Sequence, residues 1–340
     1  MRRIVYTRTG DPDVLELTDA PVPEPGPGEV RVRIRRSGVN PTDWKSRRGS
    51  APGTPVDPAQ TPNQDGSGVV DAVGEGVPEA LHGLDVWVWE AAYRRPWGTA
   101  AEYALVRENR AVLLPAGADF DLGAALGVPF ITAHRCLTVA EEGPLRLGPG
   151  TLAGRTVLVA GGAGAVGNAA IQLARWSDAT VITTVSSPRK AQLAAAAGAD
   201  HVVDYRRQDV VAEVRKIAPG GVDSVVEVNP AQNAGLDAQV LAPNGAVALY
   251  ADNGGAEMTL PVRASMIPNA RWQFVLLYTA PAEAKARAVE DINAAVLDGA
   301  VGAGEGRGLP LHHFPLEEAG KAHEAVEQGA VGKVLIDVAD

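Results

Sequence analysis

Six consecutive residues set the chemistry this chain can do. Gly162-Ala163-Gly164-Ala165-Val166-Gly167 reads G-x-G-x-x-G. Thr156–Ala160 before it is a nearly continuous apolar run, as expected of a strand buried on both faces. After it, Val166, Ala170 and Leu173 share one face of a helical pattern, and Val181–Val185 supplies a second apolar run. A strand–turn–helix–strand unit of about 30 residues is the setting in which such a loop binds a dinucleotide. The first glycine makes the turn without a Cβ clash, the next admits a pyrophosphate to the backbone, and the last lets helix and strand pack closely. The helix N-terminus then offers free N–H groups and partial positive charge to phosphates. With 38 glycines in the chain the motif alone is weak, and the βαβ context carries the reading.

The end of the second strand decides which dinucleotide. NAD sites usually place an acid there for the ribose 2′-hydroxyl. Here the chain reads Thr184-Val185-Ser186-Ser187-Pro188-Arg189-Lys190, with no acid. The hydroxyls of Ser186 and Ser187 and the cations Arg189 and Lys190 suit a 2′-phosphate, which favours NADPH over NADH. Ser187 also reads as a helix N-cap and Pro188 as a first helical residue, with both cations solvated; the two readings are compatible.

The elements that must position this loop come from the whole chain. At 340 residues there is room for two domains and a sizeable core. A hydrophobic share of 46% and a charged share of 21% are those of a globular protein. No apolar run approaches the roughly 20 residues of a membrane span. Met1-Arg2-Arg3-Ile4-Val5-Tyr6 leads into a strand rather than a signal-peptide core, so a cytoplasmic location is expected. A net charge of −10 argues against nucleic acid and anionic membranes as partners. Arg31, Arg33, Arg35 and Arg36 read as a solvated sheet face. Cys136 is the only cysteine, which excludes an internal disulfide framework and a multi-cysteine zinc site and suggests a core residue. None of the six histidines has ligand spacing, and His312-His313 reads as structural.

Short strand-like runs (Ile4–Tyr6, Val14–Leu17, Val30–Arg36, Val69–Val73, Asp85–Trp89 and Ala101–Val106) are divided by Pro- and Gly-rich turns, which predicts a β-rich, barrel-like domain over residues 1–129. A helix is expected to start at Gly127. From residue 130 to 269, strands at 156–160, 180–185, 201–203, 224–228 and 246–250 alternate with helices near 165–176, 188–197, 209–218 and 231–241. Gly198 and Gly220 read as helix-ending glycines. This is an α/β, doubly wound parallel sheet. The tail, 270–340, holds too little strand for its own domain and is expected to return to the first.

Several ordered segments resemble the medium-chain dehydrogenase/reductase superfamily, and within it the zeta-crystallin-like NADPH:quinone oxidoreductases. They are Gly38-Val39-Asn40-Pro41-Thr42-Asp43, Asp65-Gly66-Ser67-Gly68-Val69-Val70 with Val73-Gly74, Gly127-Val128-Pro129-Phe130-Ile131-Thr132-Ala133, the nucleotide loop, Asp204-Tyr205-Arg206 and Gly332-Lys333-Val334-Leu335. The resemblance implies a GroES-like β-rich catalytic domain and a Rossmann nucleotide-binding domain. Zinc-dependent members carry a catalytic Cys at the place of Asn40, a G-H-E turn at Asn63-Gln64-Asp65 and a four-cysteine lobe, so it also implies a zinc-free branch with no metal site. It places Asn40 toward the nicotinamide and substrate, and Thr132 on the nicotinamide carboxamide. Gly164, Ala165 and Val166 would hold the pyrophosphate, and Ser186, Lys190 and Tyr205 the 2′-phosphate. Asn229, Tyr250 and Leu277 would line the ribose–nicotinamide channel, which Lys333 would close. Members commonly dimerise through nucleotide-domain sheet edges, and the expected edge strand lies near Ala246–Ala251.

The function expected is NADPH-dependent reduction of quinones or similar electrophilic carbonyls at the interdomain cleft. One alternative is an enoyl or 2-alkenal reductase, which needs a proton donor such as Asp43, Lys45 or Tyr93. The other is a non-catalytic NADPH-binding sensor or structural protein. Trp44-Lys45-Ser46-Arg47-Arg48-Gly49-Ser50 lacks the tyrosines that similar bacterial enzymes carry there. Trp87, Trp89, Tyr93 and Trp97 are alternative aromatic surface for the cleft, or buried strand aromatics.

Overall fold

Apolar residues at every second position, broken by Pro and Gly turns, give short strands with one buried face. The computed structural model describes residues 1–339. Its first elements are β1 (Arg2–Arg8), β2 (Glu16–Asp19), β3 (Glu29–Val39), α1 (Pro41–Arg48), β4 (Pro55–Gln60), β5 (Asp65–Val73), β6 (Asp85–Val88), β7 (Tyr103–Arg107) and β8 (Ala111–Leu113). On β3, Val30, Val32 and Ile34 are fully buried, while Arg31 reaches across the outer face to Asp71 at 2.9 Å. Of the arginine row, Arg31 and Arg36 are thus charge-paired, Arg36 with Asp121 at 2.8 Å. Trp87 and Trp89 are buried, so the aromatic surface read for them in a cleft is not there.

Helix α2 (Phe120–Leu137) begins before the expected Gly127, because Asp119 caps it: its Oδ1 accepts from the Leu122 N–H at 2.8 Å. The first unit takes in Met1–Val128 and the chain from Leu311 onward, and the second takes in Pro129–Pro310.

The second unit holds β9 (Thr156–Ala160), α3 (Ala165–Trp176), β10 (Thr180–Val185), α4 (Pro188–Ala196), β11 (His201–Asp204), α5 (Val210–Ile217), β12 (Val222–Glu227), α6 (Pro230–Val240), β13 (Leu241–Leu249), α7 (Val262–Met266), β14 (Arg271–Phe274) and α8 (Ala282–Leu297). The sheet order is β11-β10-β9-β12-β13-β14, with every pair parallel. Counted within the sheet this is 3-2-1-4-5-6, the dinucleotide-binding order with its reversal point beside β9. Ser187 and Asp209 cap α4 and α5 through the N–H groups of Lys190 and Ala212. The left-handed residue closing α5 is Gly221, with φ +98°, not Gly220.

Two tail expectations are corrected. Residues 270–310 stay with the second unit, because β14 pairs with β13 from Ala246↔Arg271 to Leu249↔Phe274. That pairing also makes Ala246–Leu249 an interior strand, and the sheet edge is β14. The chain rejoins the first unit only with β15 (Leu311–Pro315), α9 (Ala319–Glu327) and β16 (Lys333–Asp337), whose last strand lies antiparallel to β3 with Leu335 opposite Gly38. No helix of the described residues is long and apolar enough to cross a membrane.

Candidate functional site

The glycine loop leaves β9 at Gly161, whose φ of +70° makes the turn that the sequence assigned to Gly162. Gly162 is needed for room: a Cβ there would lie 2.2 Å from Thr183 Oγ1 on β10. At Gly167 a Cβ would meet the Gly161 carbonyl oxygen at 2.4 Å, so α3 is pressed onto the loop. Gly164 is the N-cap of α3, and no side chain caps the first turn of this 12-residue helix. The N–H groups of Ala165 and Val166 are therefore open to an anion, which is the cradle a pyrophosphate fits.

The next elements lie around the same end of the sheet. Ser186 and Ser187 are half-buried, and Lys190 opens α4 behind the Ser187 cap. The Tyr205 N–H donates to the Val185 carbonyl at 3.1 Å, which brings this half-exposed residue beside the Ser186 turn. Arg189 pairs with Glu305, and both are exposed. Asn229 precedes α6, and its Oδ1 is buried without a partner in the structure. Tyr250 follows β13, where burial pushes its hydroxyl pKa up. Leu277 is buried in a short turn after β14, and Thr132 is buried on α2.

Two carboxyls that the sequence reading missed support Asn229. Glu227 accepts from the Asn229 N–H and, at 3.1 and 3.2 Å, from Asn233 Nδ2. Asp237 faces it, and burial beside Glu227 holds the Asp237 carboxyl well above the usual carboxylate range. An acid within Val225-Val226-Glu227 was the available signal.

In the first unit, four of the separated motifs meet in one buried network. Asn40 Nδ2 donates to Asp65 Oδ2 at 2.7 Å, and Lys333 Nζ donates to Asn40 Oδ1 at 2.7 Å. Lys333 Nζ lies 3.6 Å from the same Asp65 oxygen. The Val128 N–H donates to Asp65 at 2.9 and 3.0 Å. Asp43 accepts from the Asn40 N–H at 2.7 Å and the Gln64 N–H at 3.1 Å, which pins the start of α1. Two motif glycines make the room. A Cβ at Gly38 would meet the Ala124 carbonyl oxygen at 2.2 Å and Lys333 Cε at 3.0 Å, and one at Gly127 would meet Asp65 Oδ1 at 2.1 Å.

Lys333 is only 1% exposed and points to Asn40, so the structure places it within this network. Burial raises Asp43, with Asp65 adding to the effect, to about 7. Burial likewise pushes Asp65 up and Lys333 down from their ordinary values, and the donors converging on Asp65 favour the ion-paired form. A second chain of hydrogen bonds runs from His323 Nε2 to Asn63 Oδ1 at 2.9 Å, from Asn63 Nδ2 to Ser37 Oγ at 2.9 Å, and on to Thr99 Oγ1 at 2.7 Å. Burial drives the His323 pKa down to about 3, with Arg47 adding to the effect, so the ring is neutral.

The family described as "Alcohol dehydrogenase GroES-like domain" matches residues 26–116, and that described as "Zinc-binding dehydrogenase" matches residues 165–294. The chain is 30% identical to the quinone oxidoreductase of Sus scrofa, over 99% of this chain and 97% of that one. A crystal structure described as an NAD-dependent alcohol dehydrogenase superposes with a TM-score of 0.85 at 30% identity, covering both chains fully. A mycobacterial protein solved with NADPH superposes with a TM-score of 0.82 at 27% identity, over 99% of this chain and all of that one. The second family's description implies zinc, and the donors do not fit it. Asn40 and Gln64 offer amides, and Asp65 already accepts from Asn40 and Val128 with Lys333 Nζ 3.6 Å away. Among the described residues no group of three or more His, Cys, Asp or Glu side chains could hold a metal. With a GroES-like unit, a dinucleotide sheet and a full-length relative at this identity, the chain is an oxidoreductase that belongs to the medium-chain dehydrogenase/reductase superfamily, among the quinone oxidoreductases.

Proposed function

We propose that this chain is a zinc-independent reductase that uses NADPH to reduce quinones and similar electrophilic carbonyl compounds. One observation carries the choice of cofactor: β10 ends in Val185-Ser186-Ser187 with no acid, and Lys190 and Tyr205 stand beside it. A carboxylate there would repel a 2′-phosphate, and an ammonium with two hydroxyls would bind it. Gly162, Gly164, Ala165, Val166 and Gly167 would hold the pyrophosphate, with Asn229, Tyr250 and Leu277 along the rest of the cofactor and Thr132 on its carboxamide. Bound NADPH would supply the hydride.

The residues of this chain orient and exclude water more than they move protons. Asn40 would donate its amide to the acceptor carbonyl, with Asp43 holding the Asn40 backbone. A quinone suits such a site, because its reduced oxygens draw protons from water. The alkene reaction needs a positioned donor, and Asp43 is buried with both oxygens already accepting backbone N–H groups. We also propose a cytoplasmic homodimer joined at β14, where Phe274, Leu276, Met266 and Ile267 are exposed beside an open strand edge.

The test is NADPH oxidation with 1,4-benzoquinone and, separately, with 2-hexenal, each repeated with NADH. Fast turnover of the quinone with NADPH supports the proposal. Turnover of the alkenal alone would move the protein to alkene reduction, and turnover with NADH alone would overturn the cofactor assignment.

A further inference from the structure

A buried ionic cluster is a poor way to gain stability. Well-packed apolar side chains of the same volume usually serve as well or better, because the attraction between buried charges barely offsets their desolvation. The cluster of Asp65, Lys333 and Asn40 therefore calls for another explanation, and its polarity supplies one. An amide has two ends that differ only in hydrogen bonding. In the ion-paired form, which the Asn40 and Val128 donors and the nearby Lys333 favour, the Lys333 ammonium can only donate and the Asp65 carboxylate can only accept. Turning the Asn40 amide over would set N–H against N–H at 2.7 Å and oxygen against oxygen at 2.7 Å. The two charges thus allow one orientation and forbid the other. Their own places are fixed by the Val128 N–H on Asp65 and by the space that Gly38 leaves for the lysine stem.

We propose that Lys333 and Asp65 form a positioning pair that locks the Asn40 carboxamide, one Nδ2 N–H held by Asp65 and the second left as the donor to the reacting carbonyl. This rests on the role proposed for Asn40. Lys333 and Asp65 act through Asn40 and touch neither substrate nor cofactor. A neutral pair of similar shape would leave the amide free to adopt both orientations, even in a fully folded protein.

The test compares Lys333→Met, the double variant Asp65→Asn/Lys333→Gln and Asn40→Ala with the wild type. Two readouts are needed: quinone reduction by the holoenzyme, and the side-chain amide signals of Asn40 in protein labelled with [15N]asparagine. The expected result is a fall in kcat of about tenfold in the double variant, with KM for NADPH within about twofold, as for loss of an interaction used only in the transition state. The Asn40 amide pair would shift or split. Lys333→Met would do the same, and where that variant fails to fold the double variant decides. An unchanged kcat and an unmoved Asn40 signal in a folded double variant would overturn the positioning role. An Asn40→Ala variant with full activity would remove the role assigned to Asn40, while the amide signals still decide whether the lock exists. A wild type that reduces no quinone would sink the proposed reaction, and the same signals would again decide the lock.

Discussion

The two polar sites of this molecule are built from opposite materials. The nucleotide cradle is made of backbone: Gly161, Gly162, Gly164 and Gly167 shape a loop that leaves the Ala165 and Val166 N–H groups uncapped at the head of α3. All of it lies within one strand, one turn and one helix. The network around Asn40 joins side chains from α1 and its N-cap, β5 and β16 with the Val128 N–H of α2, and Asn40 and Lys333 are 293 residues apart in sequence. The first site is a property of local chain geometry, while the second exists only when the unit is folded. Damage to the network should therefore cost stability, and damage to the cradle should cost affinity.

The sharpest way to break that contrast is Asp65→Ala, which leaves the Lys333 ammonium buried and unpaired. Removing one partner of a buried ion pair costs about 3–5 kcal/mol. Urea unfolding followed in the first unit should show a loss of this size, while folded protein keeps its NADPH affinity. A loss near zero would mean that Lys333 reaches water without its partner.

His323 gives a smaller effect with a defined sign. Its folded pKa is about 3, against an ordinary value of about 6.5. Between these values the unfolded chain binds the extra proton, so the His323 contribution weakens as pH falls. From pH 6.5 to 5 the wild type should lose about 1.6 kcal/mol that a His323→Gln variant keeps, the slope rising toward roughly 1.4 kcal/mol per pH unit as pH falls below 6.5. Asp43 runs the other way. Its pKa is raised to about 7, so its contribution is present at low pH and fades as pH climbs from about 4 through 7. The wild-type curve is thus flatter than either group alone, and the two single variants, His323→Gln and Asp43→Asn, should tilt it in opposite directions.

The same contrast explains what could be read from the sequence. The cradle was legible because a glycine spacing between two apolar runs states its own geometry. Even so, the turn moved by one residue to Gly161, since which glycine takes a positive φ depends on how β9 leaves the sheet. Asn40, Asp43 and Lys333 were marked by their motifs, but no local pattern says that a lysine near the C-terminus donates to an asparagine near the N-terminus. The edge strand was misplaced because β14 is four residues, Arg271-Trp272-Gln273-Phe274, with half its positions polar. Ala246–Leu249 looked more like a strand because it is the more deeply buried of the two, which is also why it lies inside the sheet.

The cradle itself is tested most finely at its phosphate end, where two neighbouring cations differ in their surroundings. Arg189 already pairs with Glu305, and both side chains are more than half exposed. Lys190 sits on α4 behind the Ser187 cap, half-buried beside the acid-free turn. A 2′-phosphate would gain more from the ammonium, since a new bond to Arg189 must replace an existing one. Lys190→Ala should raise the NADPH Kd about tenfold, near 1.4 kcal/mol, and leave the NADH Kd within about twofold. Arg189→Ala should raise the NADPH Kd about two- to threefold, as for an exposed pair. Titration of both nucleotides by tryptophan quenching measures all four values. Equal losses for the two variants would place the phosphate between the cations. An equal loss of NADH in Lys190→Ala would show that the lysine serves the helix rather than the 2′-phosphate.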